Sequence, residues 1–546
     1  MAAARWPYKP PTMRLGLACF AVSAILIGGI WGWLGRPVPM PHAPLKAGEK
    51  LYCVSYAPFR GRQTPLDPDT IIPASQIRQD LTQLSRLTDC VRVYSTDYGL
   101  GQVAGIASSL GLKVLQGLWL SRDPIKNKQQ IDGAVSLANR YPGTIRALVV
   151  GNEVLLRGEM TADSLAGIIR GVKARVKVPV TYADVWEFWL RNRDVASAVD
   201  FITIHILPYW EDLPIAADQA AAHVDAIRQK VVAAFPGKEV LIGEVGWPSA
   251  GRMRESALPS PANQARVIQD VLALAKRQNF HANLIEAYDA PWKRALEGTV
   301  GGHWGLIDDA RHVKFAWGEA VSNHPAWRWQ AVGGIAFAAL VFAAAFAVRR
   351  KEPMTPAVLL AVTVNAIAGG WLIGWTIENV PLESLGLAGW SRSLALTVIA
   401  ILSPLVLSAA ISAGTQLPCF FRLLAPASDR KGNRLALVAG ILAMATMLLA
   451  VHVALGLVFD PRYKDFPFAP LTAAAVPFLT QSLTLPSRLG RRGVAELAAA
   501  GLLTLSVIYI VPNEGLANWQ SLWLCAALAA FAISLARVRD APGSAP

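Results

Sequence analysis

A (β/α)8 barrel of the TIM type, fused to an all-α multi-span transmembrane bundle, is the α/β architecture that this chain predicts. Three observations carry the prediction. Over 546 residues, 53% are hydrophobic and 16% charged, with a mean hydropathy of +0.35, whereas a soluble domain carries about a quarter charged residues. The apolar surplus is concentrated in residues 15–35 and from Ala331 onward. Between about 49 and 325, short β-rich runs alternate with amphipathic stretches of helical length, the pattern of repeated βα units.

Taken in chain order, the first element is an uncharged run, LGLACFAVSAILIGGIWGWLG (residues 15–35), preceded by Arg5, Lys9 and Arg14. Its length matches the roughly 20 residues that span a bilayer. A cleaved signal peptide has a shorter apolar core and a small-residue site, so an uncleaved anchor with a cytoplasmic N-terminus is expected. Residues 1–35 form this first segment.

Residues 36–328 are expected to form the barrel. Eight strand candidates are LYCVSYA (51–57), CVRVYS (90–95), LKVLQGLWL (112–120), IRALVVG (145–151), VPVTYA (178–183), VDFITIHI (199–206), EVLIGEV (239–245) and NLIEAY (283–288). Runs such as ALVVG and EVLIG are apolar on both faces, as buried parallel strands require. A doubly wound sheet is the competing arrangement. Its glycine fingerprint is missing, because Gly99, Gly101 and Gly105 are spaced one residue too wide.

Residues 329–546 are expected to form seven further spans, at 331–348, 356–376, 393–414, 435–458, 469–485, 494–511 and 519–536. Counted from an inside N-terminus, the cytoplasmic loops receive Arg349, Arg350, Lys351, Arg422, Arg430, Lys431, Arg434, Arg488, Arg491, Arg492, Arg537 and Arg539. The outside loops receive little beyond Arg392, Arg462 and Lys464. This asymmetry is the positive-inside rule, and it places residues 36–328 outside. The expected location is a bacterial inner membrane, with the barrel facing the periplasm and the bilayer as a partner.

Lys and Arg number 52 against 38 Asp and Glu, a formal charge of +14. Loop topology accounts for that surplus, and no zinc finger, helix-turn-helix cue or aromatic-basic stripe argues for a nucleic-acid partner. The five cysteines lack a CxxC pair, which argues against a disulfide scaffold and a Cys-based zinc site. No HExxH spacing occurs among the histidines, so no dedicated transition-metal site is expected. Within the spans, His452 is open to two readings, a relay or ligand group and, favoured, a histidine hydrogen-bonded to a neighbouring helix, and it is left unassigned; Glu496 is read as an interfacial carboxylate in reach of water.

Chemistry in such a barrel collects at the C-terminal ends of the strands. The fourth run ends VVGNEV, placing Asn152 and Glu153 there, and the seventh ends LIGEVGWPS, placing Glu244 there with Trp247 just beyond. Strands four and seven lie on roughly opposite sides of the ring, so both carboxylates can point into one cleft. Glycoside cleavage needs such a pair: one carboxyl donates a proton to the leaving oxygen while the other, ionised, attacks the anomeric carbon. Glu153 is assigned the acid/base role and Glu244 the nucleophile role, with Asn152 on the sugar 2-hydroxyl.

These residues resemble glycoside hydrolase family 17, whose acid/base lies in a GNEV motif (here Gly151 to Val154) and whose nucleophile lies in GE(T/V)GWPS (here Gly243 to Ser249). The resemblance covers about residues 49–325. It implies a (β/α)8 fold, a retaining double displacement on β-linked glucan, and no cofactor. In keeping with it are VRVYSTD (Arg92, Tyr94, Asp97), HILPYW (His205, Pro208, Tyr209, Trp210), EAYDAPWK (Glu286, Asp289, Trp292, Lys293) and GHWGL (Trp304).

Flat rings at a barrel mouth suit the apolar faces of β-linked glucose. Trp119, Trp186, Trp189, Tyr209, Trp210, Trp247, Trp292 and Trp304 all follow strands or sit in their loops. Trp247 and Tyr209 are the favoured sugar contacts. Asp184 is a candidate for binding hydroxyls, and Glu187 reads as a solvated loop residue. The expected substrate-binding set is Asn152, Tyr94, Asp97, Asp184, Tyr209, Trp210, Trp247, Glu286, Trp292, Lys293 and Trp304.

A secreted degradative glucanase needs no membrane bundle. The layout resembles the bacterial membrane-bound members described as β-(1,3)/(1,6)-glucan synthases or transglycosylases. The first expectation is therefore a transglycosylase using β-1,3-glucan donors to form β-1,3 or β-1,6 linkages through a covalent glucosyl-enzyme. A membrane-tethered endo- or exo-β-1,3-glucanase uses the same residues. A nucleotide-sugar-dependent synthase or glucan-binding transporter has as its only cue Asp67-Pro68-Asp69, a DxD in a Pro-rich loop placed outside. Candidate partners are β-glucan chains and, for the bundle, other polysaccharide-synthesis membrane proteins.

Overall fold

The computed structural model describes residues 11–348, 354–424, 434–486 and 490–539. Arg5, Lys9, Arg349, Arg350, Lys351, Arg430, Lys431 and Arg488 of the topology argument lie outside the described residues. The chain divides into two compact units: Pro37–Val321, and Met1–Arg36 together with Ser322–Pro546.

In the first unit all eight predicted strands are present: β1 (Cys53–Ser55), β2 (Cys90–Val93), β3 (Lys113–Leu118), β4 (Ile145–Asn152), β5 (Val180–Val185), β6 (Ile202–His205), β7 (Val240–Val245) and β8 (Ala282–Leu284). They pair in chain order and in parallel, and β1 also pairs with β8 to close the barrel. The alternation of strand residues separates two cores. Cys53, Cys90, Leu115, Ala147, Val149, Ala183 and Leu241 form one cluster. Val54, Val91, Val114, Leu148 and Val150 belong to the larger one, with the helices.

Local chemistry sets several helix starts. Asp123 accepts hydrogen bonds from the backbone N of Ile125 and Lys126 ahead of Pro124–Arg140, Thr161 caps Ala162–Lys173, and Ser260 caps Pro261–Gln278. Such side-chain acceptors satisfy amides that the first helical turn leaves without partners. The β1–β2 pairing also brings Cys53 and Cys90, separated by 37 residues, into a disulfide. The cysteine spacing argues against a disulfide scaffold, and this bond is unexpected; it follows from strand register, which spacing alone does not display.

Among its described residues the second unit is built of helices. Seven of those described are long and apolar enough to cross a membrane: Met13–Leu34, Trp327–Ala347, Pro356–Glu383, Gly386–Ser412, Arg434–Phe459, Val494–Glu514 and Trp519–Ala536. Phe468–Thr484, the remaining predicted span, is a 17-residue helix. The predicted outside loop between the third and fourth spans shrinks to Ser384 and Leu385. Arg392, expected in that loop, is helical, and its Nη2 donates to Glu383 O at 3.4 Å. Glu496 is buried rather than wet, because its Oε1 accepts the Phe420 backbone N–H at 2.6 Å. His452 lies on the exposed side of Arg434–Phe459.

Candidate active site

The site is assembled at the C-terminal ends of β1, β2, β4, β6, β7 and β8. At the end of β4 the backbone turns sharply: Gly151 has φ +87° and Glu153 φ +53°. Glycine accepts that conformation readily, and a Cβ at Gly151 would lie 2.8 Å from Val154 Cγ2. The Glu153 amide still donates to Ala183 O of β5 at 2.8 Å, which fixes the residue to the barrel rim. On β7, a Cβ at Gly243 would lie 2.4 Å from Thr203 Cγ2 and 3.4 Å from Arg92 Nη1. Glycine at this position leaves room for the arginine.

Arg92, 1% exposed, organises the centre. Its Nη1 donates to Gly243 O at 2.7 Å and to Glu244 Oε1 at 3.1 Å, and its Nη2 donates to Asn152 Oδ1 at 2.5 Å. With Oδ1 occupied, Asn152 is left its NH2 edge for donation. Tyr94 OH donates to the same Glu244 oxygen at 2.8 Å, with Ser55 Oγ 2.8 Å behind it and Asn283 Nδ2 donating to Ser55 Oγ. Burial pushes the Tyr94 hydroxyl well above its ordinary range, with the Glu244 charge adding to it. The phenol therefore stays a donor.

His205, the last residue of β6, stands between the two carboxyls. Its Nδ1 is 2.8 Å from Glu153 Oε1 and its Nε2 is 3.6 Å from Glu244 Oε1. One ligating atom from each of Glu153, His205 and Glu244 lies within 4.8 Å of the others. Retaining glycosidases hold their carboxyl groups about 5–5.5 Å apart and inverting ones about 6.5–9.5 Å. The short separation therefore suits attack by one carboxylate on the sugar itself. The three groups also have metal-ligand spacing, but Arg92 sets a fixed positive charge 3.1 Å from Glu244 and 3.4 Å from His205 Nε2. That charge opposes a cation.

Burial raises the Glu153 carboxyl, but the His205 contact and the charges of Arg157 and Arg92 outweigh it and leave the group below its ordinary value. Asp184 is pushed up to about 6, chiefly by burial. It is enclosed: Tyr182 OH donates to Oδ2, the Val185 amide donates to Oδ1 at 2.8 Å, and the Leu156 amide approaches Oδ2 at 3.4 Å. Its position underpins the Glu153 side of the site instead of offering a free hydroxyl-binding edge.

Glu286 is pushed up to about 7 by burial and accepts from Lys293 Nζ at 2.9 Å. Lys293 is raised in turn: burial lowers it, and the charges of Glu286, Glu297 and Glu244 overcome that effect. Glu297, for which the sequence reading offered no role, is raised by burial, with Glu153 and Glu244 adding to the shift. Its RALEGT surroundings carry no motif. Arg157 was also missed; it donates to Asn152 O and, at 2.8 Å, to Leu120 O.

The favoured stacking rings turn out to be packing groups. Trp247 and Tyr209 are both 0% exposed. Trp247 Nε1 donates to Leu258 O at 3.0 Å and Tyr209 OH to Arg252 O at 2.9 Å, while the two rings meet at 6.1 Å. Trp304 and Trp189 are buried as well. Trp119 is 38% exposed with the Arg157 guanidinium 4.3 Å from its ring centroid. Trp210, Trp292 and Trp186 are half-buried, and Asp97 lies exposed beyond β2.

Residues 53–305 match the model of the BtgE/BtgC glycoside hydrolase domain. A probable beta-glucosidase btgE of Aspergillus flavus is 32% identical over 225 residues, covering 40% of this chain and 36% of that protein. A putative glucan endo-1,3-beta-glucosidase btgC of Aspergillus niger is 26% identical over 294 residues, covering 48% of this chain and 42% of that protein. The chain thus spans less than half the length of these relatives. A solved beta-1,3-glucanosyltransferase of Rhizomucor miehei, in complex with laminaritriose, has 27% identity and a TM-score of 0.44, covering 50% of this chain and 98% of that one. Residues 53–305 are thus similar to a glycoside hydrolase domain.

Proposed function

We propose that this chain is a membrane-anchored, retaining β-glucan transglycosylase that uses β-1,3-glucan donors and forms β-1,3 or β-1,6 linkages. The observation that carries the reading is the close approach of the Glu153 and Glu244 carboxyls, within 4.8 Å through their nearest ligating atoms. Glu244, with Arg92 and Tyr94 donating to one oxygen, is the nucleophile. Its other oxygen attacks the anomeric carbon as Glu153 protonates the departing glycosidic oxygen. In the second step, Glu153 removes the proton of an acceptor sugar hydroxyl, the new C–O bond forms, and the electron pair of the ester returns to Glu244.

Placement of the barrel outside a bacterial inner membrane is supported by the charge asymmetry of the loops. The Cys53–Cys90 disulfide supports it independently, since such bonds persist in oxidising compartments. Attachment to a membrane bundle favours transfer over degradation. Tethered hydrolysis is the second reading, favoured by the glucosidase names of the relatives.

The test is a 2-deoxy-2-fluoro-β-glucosyl donor with a good leaving group, offered to the full-length protein and followed by peptide mass analysis. The expected result is one sugar adduct on the peptide containing Glu244. An adduct on another carboxylate, or turnover through an inverted product, would overturn the assignment.

A further inference from the structure

His205 is 1% exposed and fixed at the end of β6. Arg92 Nη1 and Nη2 each lie 3.4 Å from its Nε2. A guanidinium has donors only, so Nε2 meets it best as an acceptor, which leaves the ring proton on Nδ1. That nitrogen is 2.8 Å from Glu153 Oε1. Glu153 itself sits just beyond the strand in a left-handed turn, its amide held by Ala183 O and its carboxylate met by the histidine.

We propose that His205 is the positioning residue of the proton-transfer step: its Nδ1–H holds the Glu153 carboxylate toward Glu244, while Arg92 fixes the tautomer. The proposal rests on the acid/base reading of Glu153. The charged groups facing this pair come from every side. Arg92 on β2 and Arg157 after β4 favour the ionised carboxylate, whereas Asp184 on β5, Glu244 on β7 and the Glu297 helix favour protonation. Among the influences that oppose burial here, the His205 hydrogen bond is the largest.

The two half-reactions then respond in opposite senses. An ionised Glu153 is ready to take the proton of the acceptor hydroxyl, so the covalent intermediate is discharged quickly. The first step needs Glu153 protonated, so formation of the intermediate from a glucan donor falls away at comparatively low pH. Removing the His205 donor raises the Glu153 carboxyl. It extends the first step to higher pH and slows the second.

The experiment measures kcat/KM against pH for the full-length protein and for His205→Ala and His205→Asn, with laminari-oligosaccharide donors. Loss of a charge-assisted hydrogen bond to a buried carboxylate moves a titration by about one pH unit, so the alkaline limb should shift upward by that amount in His205→Ala. The shift should be smaller in His205→Asn, whose amide keeps an N–H. With a 2,4-dinitrophenyl β-glucoside, which needs no acid, the variants should show a pre-steady-state burst from slowed discharge. A uniform fall in rate with the limb unmoved and no burst would show a merely structural histidine and overturn the proposal. Should His205→Ala not fold, His205→Asn carries the same comparison. Full oligosaccharide turnover by Glu153→Gln would instead remove the acid/base reading itself, whatever the histidine variants do.

Discussion

Glu244 receives two donors, Arg92 and Tyr94, on a single oxygen, so Glu244→Gln should keep the fold while losing glucosyl transfer by about 10³-fold or more. Steady-state rates on laminari-oligosaccharides check this, and near-normal turnover contradicts it. Asp184 supplies a pH prediction. Its pKa of about 6, against an ordinary 3.8, is raised by burial. The stability it contributes is therefore fully present below about pH 4 and lost as pH rises through about 6, by at most about 3 kcal/mol. Asp184→Asn should lack that loss, so the difference in melting temperature between variant and parent should shift in the variant's favour from pH 4 to 7. A difference independent of pH would contradict it. The carboxylates at 153 and 244 were legible because each follows an apolar strand and a glycine. The histidine between them was visible only as the last residue of ITIH, and its link to Glu153 depends on which strand ends face one another across the barrel.

At the scale of the element, the β4 turn and the loop after β7 place the chemistry. Gly151 has φ +87° and no room for a Cβ beside Val154. Gly151→Ala should therefore lose about 1–3 kcal/mol of stability, and displacing Glu153 should lower kcat at least tenfold, since small misplacements reduce rates steeply. Unchanged kcat and melting temperature would remove the turn from the account. Trp247 makes a complementary case. Trp247→Phe removes a buried indole donor to Leu258 O and should reduce stability by about 1–2 kcal/mol while leaving KM within roughly twofold. A large KM effect with intact stability would restore it to sugar stacking. Period and composition disclosed every strand, because buried parallel strands are apolar on both faces and end at Gly, Pro or polar residues. Whether a ring packs or stacks was not legible, since Trp247 and Trp119 occupy similar places in the chain and differ only in what covers them.

For the whole molecule, the chain divides into a barrel unit and a helical unit whose longer helices are apolar enough to cross a membrane. The apolar spans were legible from composition. The 384–385 turn between two long helices was not, because hydropathy marks the lipid-embedded stretch and not how far a helix continues beyond it. The disulfide likewise needed the β1–β2 register. The central claim, transfer through a covalent glucosyl-enzyme, is tested most directly by incubating the full-length protein with a laminari-oligosaccharide of single length and following product mass and linkage over time, with Glu244→Gln as control. The account predicts products longer than the substrate, carrying new β-1,3 or β-1,6 bonds with little free glucose, and none from the variant. Exclusively shorter products, or elongation undiminished in Glu244→Gln, would contradict it.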